Sequence, residues 1–177
     1  MTTLRFKTRP ARVEDLDAIM NIQSMCYAPE LVESRGVFEC MLETSWVCSE
    51  VHGEVGSCYE KVIGYLLAHP WHDPDVPPRL HSVEDLECKF VGSPACFFIH
   101  DLTVHPEHRG LGVASLLLAS IHHVADLCLV AVNGTAASFW PKHGFRPVHP
   151  ANDRVESALD TYCDPSATFM VQRSKNG

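Results

Sequence analysis

The stretch Val104-His105-Pro106-Glu107-His108-Arg109-Gly110-Leu111-Gly112-Val113-Ala114 sets a cation beside two glycines, a combination suited to holding an anion. Gly110 and Gly112 lack a Cβ, so the backbone there can take unusual dihedrals and come close to a ligand. A helix follows through Leu116, Leu117 and Leu118. Its unpaired N–H groups converge on one small space, and its dipole adds partial positive charge. Phosphate suits such a place. Just upstream, His100 and Asp101 sit side by side, two groups able to take up a proton.

The elements that position these residues follow from patterning. Phe97 to Val104 is an apolar strand; alternation sets Phe98, His100, Leu102 and Val104 on one face and Ile99, Asp101 and Thr103 on the other. Before it, Leu4 to Thr8 reads as a strand, and Glu14-Asp15 opens a helix with Leu16, Ile19, Met20, Ile22, Met25 and Cys26 at helical spacing. Cys26 to Leu31 is a loop and Gly36 to Leu42 a short second helix. Trp46 to Ser49 and Val62 to His69 are strands joined by a Gly-rich turn, a hairpin signal. Pro70 to Pro94 reads as a long irregular insertion, of the kind usually functional or mobile. Leu127 to Val132 and Ala167 to Gln172 are further strands, with a short helix at Phe139 between them.

Two phosphate loops are excluded. There is no G-x-x-x-x-G-K-[ST], and G-x-G-x-x-G is incomplete because Ser115 stands where its third glycine would be. Arg109-x-x-Gly112-x-Ala114 instead resembles the R/Q-x-x-G-x-G/A pattern of the GNAT superfamily of N-acetyltransferases, where it holds the pyrophosphate of coenzyme A. A second match follows in order. Asn133, Ala136, Phe139, Gly144 and Phe145 resemble that family's N-x-x-A-x-x-[LF]-Y-x-x-x-G-F element, whose asparagine bonds the pantetheine arm and whose short helix flanks the cofactor. The resemblance implies an α/β GNAT fold: a central, mixed, mostly antiparallel twisted sheet of six to seven strands, flanked by about four helices and splayed at the coenzyme A site. It also implies acetyl-CoA as cofactor, with no metal. The cofactor residues it implies are Leu102, Thr103, Val104, Arg109, Gly110, Leu111, Gly112, Val113, Ala114, Asn133, Ala136, Phe139, Trp140 and Lys142.

Acetyl transfer to an amine needs a base, because an alkyl ammonium of pKa ~10.4 is neutral in roughly one molecule in 2,500 at pH 7, a deficit of about 4.6 kcal/mol. In the family a glutamate often holds the position of His100, and the arylalkylamine (serotonin-type) members have H-x-H-x-L-x-V on this strand, with Phe98 and His100 here at the two histidine places. His100 is the expected base and Asp101 its competitor. One departure stands out: Trp140 occupies the place of the family's tyrosine, the general acid for the thiolate, and indole supplies no useful proton. Water or Tyr162 remain as candidates. The Cys26 to Leu31 loop lies where family members build the acceptor pocket, which makes Tyr27, Pro29, Glu30 and Leu31 the expected substrate residues. Glu30 and Glu33 are read as solvated surface that could also attract a cation.

Composition agrees with one enzyme-sized domain spanning residues 1–177. A net charge of −8 argues against nucleic-acid binding and is compatible with a cationic acceptor. No apolar stretch approaches a membrane span, and no leader is recognisable, so the expected setting is cytoplasmic. The 8 cysteines contain no C-x-x-C and are expected as buried thiols. His69-x-x-His72, His105-x-x-His108 and His122-His123 lack an evident third ligand and are expected as surface histidines. The leading expectation is an acetyl-CoA-dependent N-acetyltransferase acting on a small apolar or aromatic amine, as a monomer or homodimer. The alternatives are a lysine or N-terminal protein acetyltransferase and a non-catalytic coenzyme A sensor.

Overall fold

In this computed structural model the described residues are 5–54, 57–79, 93–121, 126–132, 138–148 and 153–174. Strands β1 (Arg5–Pro10), β2 (Trp46–Glu54), β3 (Ser57–Trp71), β4 (Cys96–Val104), β5 (Asp126–Ala131), β6 (Arg146–Pro147) and β7 (Thr168–Gln172) form one sheet in the order β1-β2-β3-β4-β5-β7-β6. The helices among the described residues are α1 (Leu16–Cys26), α2 (Arg35–Met41), α3 (Val113–Ile121), α4 (Phe139–Lys142) and α5 (Asp153–Leu159). β4 and β5 run parallel, while the ladders β1–β2, β2–β3, β5–β7 and β6–β7 are antiparallel. This is the expected mixed, mostly antiparallel sheet, with seven strands. Internal contacts divide the chain into two compact units, Met1–Leu67 with Asp101–Ile121, and Ala68–His100 with His122–Gly177.

In the first unit the apolar spacing of α1 is realised as a buried stripe of Leu16, Ile19 and Ile22, each at most 2% exposed. Full burial of such side chains contributes about 1.5–3 kcal/mol apiece. Phe38 from α2 meets Tyr65 of β3 edge to face, with ring centroids 6.3 Å apart. The predicted hairpin is present and longer than expected, pairing Trp46 with Leu66 through to Glu54 with Ser57, with a register shift between Cys48 and Ser49. Helix α3 lies against β1 and β2. At Gly64 on β3 a Cβ would stand 3.1 Å from both the Thr103 carbonyl oxygen and Val113 Cγ1, so any side chain there would push on β4 and on the start of α3. The carboxylate of Asp15 takes Arg9 as a fork, at 2.7 and 2.8 Å, and also accepts the Arg12 N–H at 2.8 Å. These bonds fix the turn that leads into α1.

The second unit is built on Val76, Cys96, Phe98, Cys128, Val155, Ala158 and Phe169, with Trp71 packed against them. Trp71 donates its indole N–H to the Val76 carbonyl at 2.7 Å, and its own carbonyl accepts the Ala95 N–H at 3.2 Å. The described part of the 70–94 insertion is therefore pinned to the core, and β3 extends two residues into it. Helix α5 and the two-residue strand β6 were not expected. Both lack a usable pattern, since α5 buries only Val155 and Ala158.

The thiols divide. Cys48, Cys96 and Cys128 are buried as expected, whereas Cys40 and Cys163 are exposed, because they lie on the outer side of α2 and just after α5. No helix among the described residues is long and apolar enough to cross a membrane.

Candidate active site

Asp101 is the centre of a hydroxyl cluster in the first unit. Its side chain points to the buried face of β4, and the residue is 9% exposed. Oδ2 accepts the Tyr65 hydroxyl at 2.6 Å, and Oδ1 accepts those of Tyr27 at 2.7 Å and Thr103 at 2.8 Å. Burial, reinforced by the Asp101 charge, raises both phenols above the ordinary tyrosine value, so they stay protonated and act as donors. With three hydroxyls on its two oxygens, Asp101 is geometrically a holding group for β3, β4 and the end of α1. Tyr65 was missed by the sequence reading: a tyrosine in a strand has no local mark of a partner 36 residues away.

After Val104 the chain turns sharply. His105 N–H donates to the Ile63 carbonyl at 2.8 Å, which ends β4 against β3. His105 Nδ1 accepts the Glu107 N–H at 3.3 Å. His108 is 9% exposed and sets Nε2 3.2 Å from Glu50 Oε2 on β2, and His52 Nε2 is 3.1 Å from the same oxygen. Burial works to raise the Glu50 carboxyl, but its hydrogen bonds to His108 and His52 prevail and hold it below the usual range. The surface expectation thus fails for His108, which anchors the turn because β2 supplies a buried carboxylate beneath it.

Gly110 and Gly112 follow at φ +77° and +84°, a left-handed region that favours glycine. Among the described residues nothing stands within 4 Å of the position a Cβ would take at either one. Leu116 N–H already bonds the Gly112 carbonyl at 3.1 Å, so α3 begins directly from the second glycine. Gly110, Leu111 and Gly112 are exposed, Val113 is buried and Ala114 half-buried. Arg109 folds back, with Nε 3.3 Å from the Val104 carbonyl and one guanidinium nitrogen 3.2 Å from Cys26 Sγ. Leu102 and Val104 are half-buried, alternating with Asp101 and Thr103 as expected.

In the second unit, half-buried His100 has His69 of β3 as a ring neighbour, with centroids 6.3 Å apart. His69 is 5% exposed, correcting its surface assignment: β3 continues to Trp71 and carries it into the sheet. Burial lowers its pKa to about 4, and the charge of His100 adds to the effect against the bond to Pro70.

Trp140 on α4 is 8% exposed and stacks edge to face on Phe139 and Phe145, with centroids at 5.0 and 5.2 Å. Lys142 is exposed and Phe139 half-buried. Asn133 and Ala136 lie outside the described residues. Tyr162, one candidate acid, donates its hydroxyl to the Pro78 carbonyl at 2.9 Å. That bond ties it to the 70–79 segment.

Of the expected acceptor residues, Tyr27 joins the Asp101 cluster, while Pro29 and Leu31 form a single exposed 3-10 turn; the Glu30 side chain lies outside the described residues. The end of that turn is fixed by Gln23, whose side-chain oxygen accepts the Glu33 N–H at 3.0 Å. Among the described residues no group of three His, Cys, Asp or Glu side chains could hold a metal ion.

The sequence profile of the acetyltransferase (GNAT) domain matches residues 43–147. Among solved structures the chain is similar to the loading GNATL domain of CurA from Lyngbya majuscula, at 11% identity and a TM-score of 0.72, covering 98% of this chain and 100% of that one. It is also similar to N-acetylglutamate synthase from Neisseria gonorrhoeae complexed with coenzyme A and L-arginine, at 16% identity and a TM-score of 0.61, over 97% of this chain and 34% of that one. A third is the ribosomal-protein-S18-alanine N-acetyltransferase from Escherichia coli, at 14% identity and a TM-score of 0.62, over 98% and 96% of the two chains. No curated protein sequence matches the chain. At these identities the structural likeness speaks for the fold.

Proposed function

The chain belongs to the GNAT acetyltransferase family, and from that premise we propose that residues 1–177 act as one cytoplasmic domain transferring an acetyl group from acetyl-CoA to a small apolar or aromatic primary amine. The observation that carries this reading is the Gly110–Gly112 turn: two positive-φ glycines, directly before α3, with no atom of the described residues within 4 Å of where their side chains would begin. That geometry fits a pyrophosphate, which backbone N–H groups at a helix start can hold without any side chain. Residues 109–114 would take the pyrophosphate, and Leu102, Thr103 and Val104 would offer the edge of β4. In the second unit, Phe139, Trp140 and Lys142, with Asn133 and Ala136 before them, are the residues for the pantetheine arm.

When bound, acetyl-CoA supplies an activated acyl group on a thiol of pKa about 8.5, a fair leaving group. His100 takes the proton from the acceptor ammonium, directly or through water, and so provides the neutral nucleophile. Asp101 is the weaker candidate base, since its oxygens already accept three hydroxyls. With Trp140 in the tyrosine place and Tyr162 bonded to Pro78, water is the remaining source of the thiolate's proton. Tyr27, Pro29, Glu30 and Leu31 are assigned to the acceptor. The small-amine assignment is supported by the serotonin-type pattern at His100 and by the compact proline turn at 29–31.

The decisive test is thiol release from acetyl-CoA across a panel of arylalkylamines, aliphatic amines, lysine peptides and free N-terminal peptides. Turnover of arylalkylamines above the peptides is the expected outcome. Preference for a peptide would reassign the acceptor. Coenzyme A binding with no release from any acceptor would overturn the transferase reading in favour of a sensor.

A further inference from the structure

Neighbouring strands β3 and β4 bring two histidines of distant sequence together at one place in the second unit. His69 has Trp71, Phe98 and His100 as ring neighbours, at centroid distances of 6.1, 5.4 and 6.3 Å. Among the described residues His100 is the titratable group whose charge bears on it; Trp71 and Phe98 contribute apolar surface. The Nδ1 atom of His69 lies 2.9 Å from the Pro70 carbonyl oxygen. A carbonyl can only accept, so Nδ1 carries the hydrogen and Nε2 is left as a lone-pair acceptor. Burial opposes protonation there, so the acceptor persists at neutral pH.

We propose that His69 is the positioning residue for His100: its fixed Nε2 accepts a hydrogen bond from His100, through one bridging water, and so selects which His100 nitrogen is available to the acceptor amine. The ring separation is one that a water spans. The bond also favours the imidazolium that forms when His100 takes a proton, because its N–H then points at an acceptor. A second protonatable base is not needed for this, and His69 keeps its own proton throughout. The proposal rests on the assignment of His100 as base.

The test uses two isosteric variants. Asparagine places an amide N–H near Nδ1 but nothing at Nε2, whereas glutamine reaches the Nε2 position with an oxygen acceptor. His100 is titrated by ring NMR in the full chain without cofactor, and kcat/KM is followed against pH with 2-phenylethylamine and acetyl-CoA. In His69→Asn the His100 midpoint and the acidic limb of kcat/KM should both move to lower pH, with kcat/KM falling about tenfold, the size of one lost hydrogen bond. His69→Gln should restore most of both. Equal profiles for wild type and His69→Asn would overturn the proposal, as would equal losses in both variants accompanied by lowered melting temperatures, which would mark a packing role. If His100→Ala is inactive while His69→Asn is wild type, only the positioning role falls. If His100→Ala keeps the wild-type profile, the base assignment fails and His69's role fails with it.

Discussion

The Tyr27 hydroxyl, one residue beyond α1, donates to Asp101 Oδ1 on β4 at 2.7 Å. This single bond ties the loop expected to meet the acceptor to the strand that carries the proposed base. The same carboxylate holds Tyr65 at 2.6 Å. Tyr65→Phe should lower unfolding free energy by about 1.5–3 kcal/mol, the usual worth of a hydrogen bond to a charged group. Chemical denaturation measures it. Asp101→Asn should lose stability in the same way; normal stability combined with a collapse of kcat would make Asp101 the base instead.

Gly112→Glu tests the anion site. At φ +84° any side chain costs backbone energy, about 1–2 kcal/mol. The carboxylate would also stand where negative charge should bind. Coenzyme A should raise the melting temperature of the wild type and leave that of the variant unchanged. Equal stabilisation of the two proteins would reject the pyrophosphate assignment.

His100→Gln should lower kcat/KM by about 10²–10⁴ at neutral pH, the range for a positioned base. The deficit should shrink as pH approaches the amine's own pKa, since solvent then supplies the neutral nucleophile. Acetyl-CoA affinity should stay near wild type. A uniform deficit at every pH with a depressed melting temperature would mark His100 as structural.

His69 predicts an acid limb of stability. Burial holds its pKa at about 4, against 6.5 for an ordinary histidine. Between these values the unfolded chain binds the proton more readily, so stability rises with pH across the window and is lost as pH falls from 6.5 to 4. At about 1.4 kcal/mol per pH unit the full loss is about 3 kcal/mol. Denaturation midpoints of wild type against His69→Gln should diverge in that window, with the variant flatter. Parallel curves would show that another group dominates.

What could be read from sequence was what is encoded locally. Arg109, Gly110 and Gly112 lie close together in sequence, and both glycines take a left-handed backbone that the lack of a Cβ permits. Strand β4 was legible for the same reason: its alternation separates Asp101 from His100 whatever surrounds it. The partners of those two residues were not legible. Tyr65 and His69 lie on β3, and only the pairing of β3 with β4 turns them into neighbours. His69 looked like a residue at a loop edge because Pro70 reads as a break, yet at the end of β3 the strand continues past the proline to Trp71. His108 was hidden in the same way, since its surroundings depend on Glu50, 58 residues earlier.

Each compact unit is assembled from two separated stretches of chain, the first from Met1–Leu67 and Asp101–Ile121. On the ribosome this imposes an order of events. Residues through Leu67 emerge first, and at ~5–20 residues per second the stretch ending at Ile121 follows roughly 3–10 s later. During that interval the Tyr65 hydroxyl has no Asp101, and β1 and β2 lack the apolar face of α3. The nascent hairpin therefore waits with the Gly64 and Leu66 face of β3, which meets Val113 and Leu117 in the finished unit, uncovered, an aggregation-prone state. A chain that stops short of Ile121 holds neither unit whole.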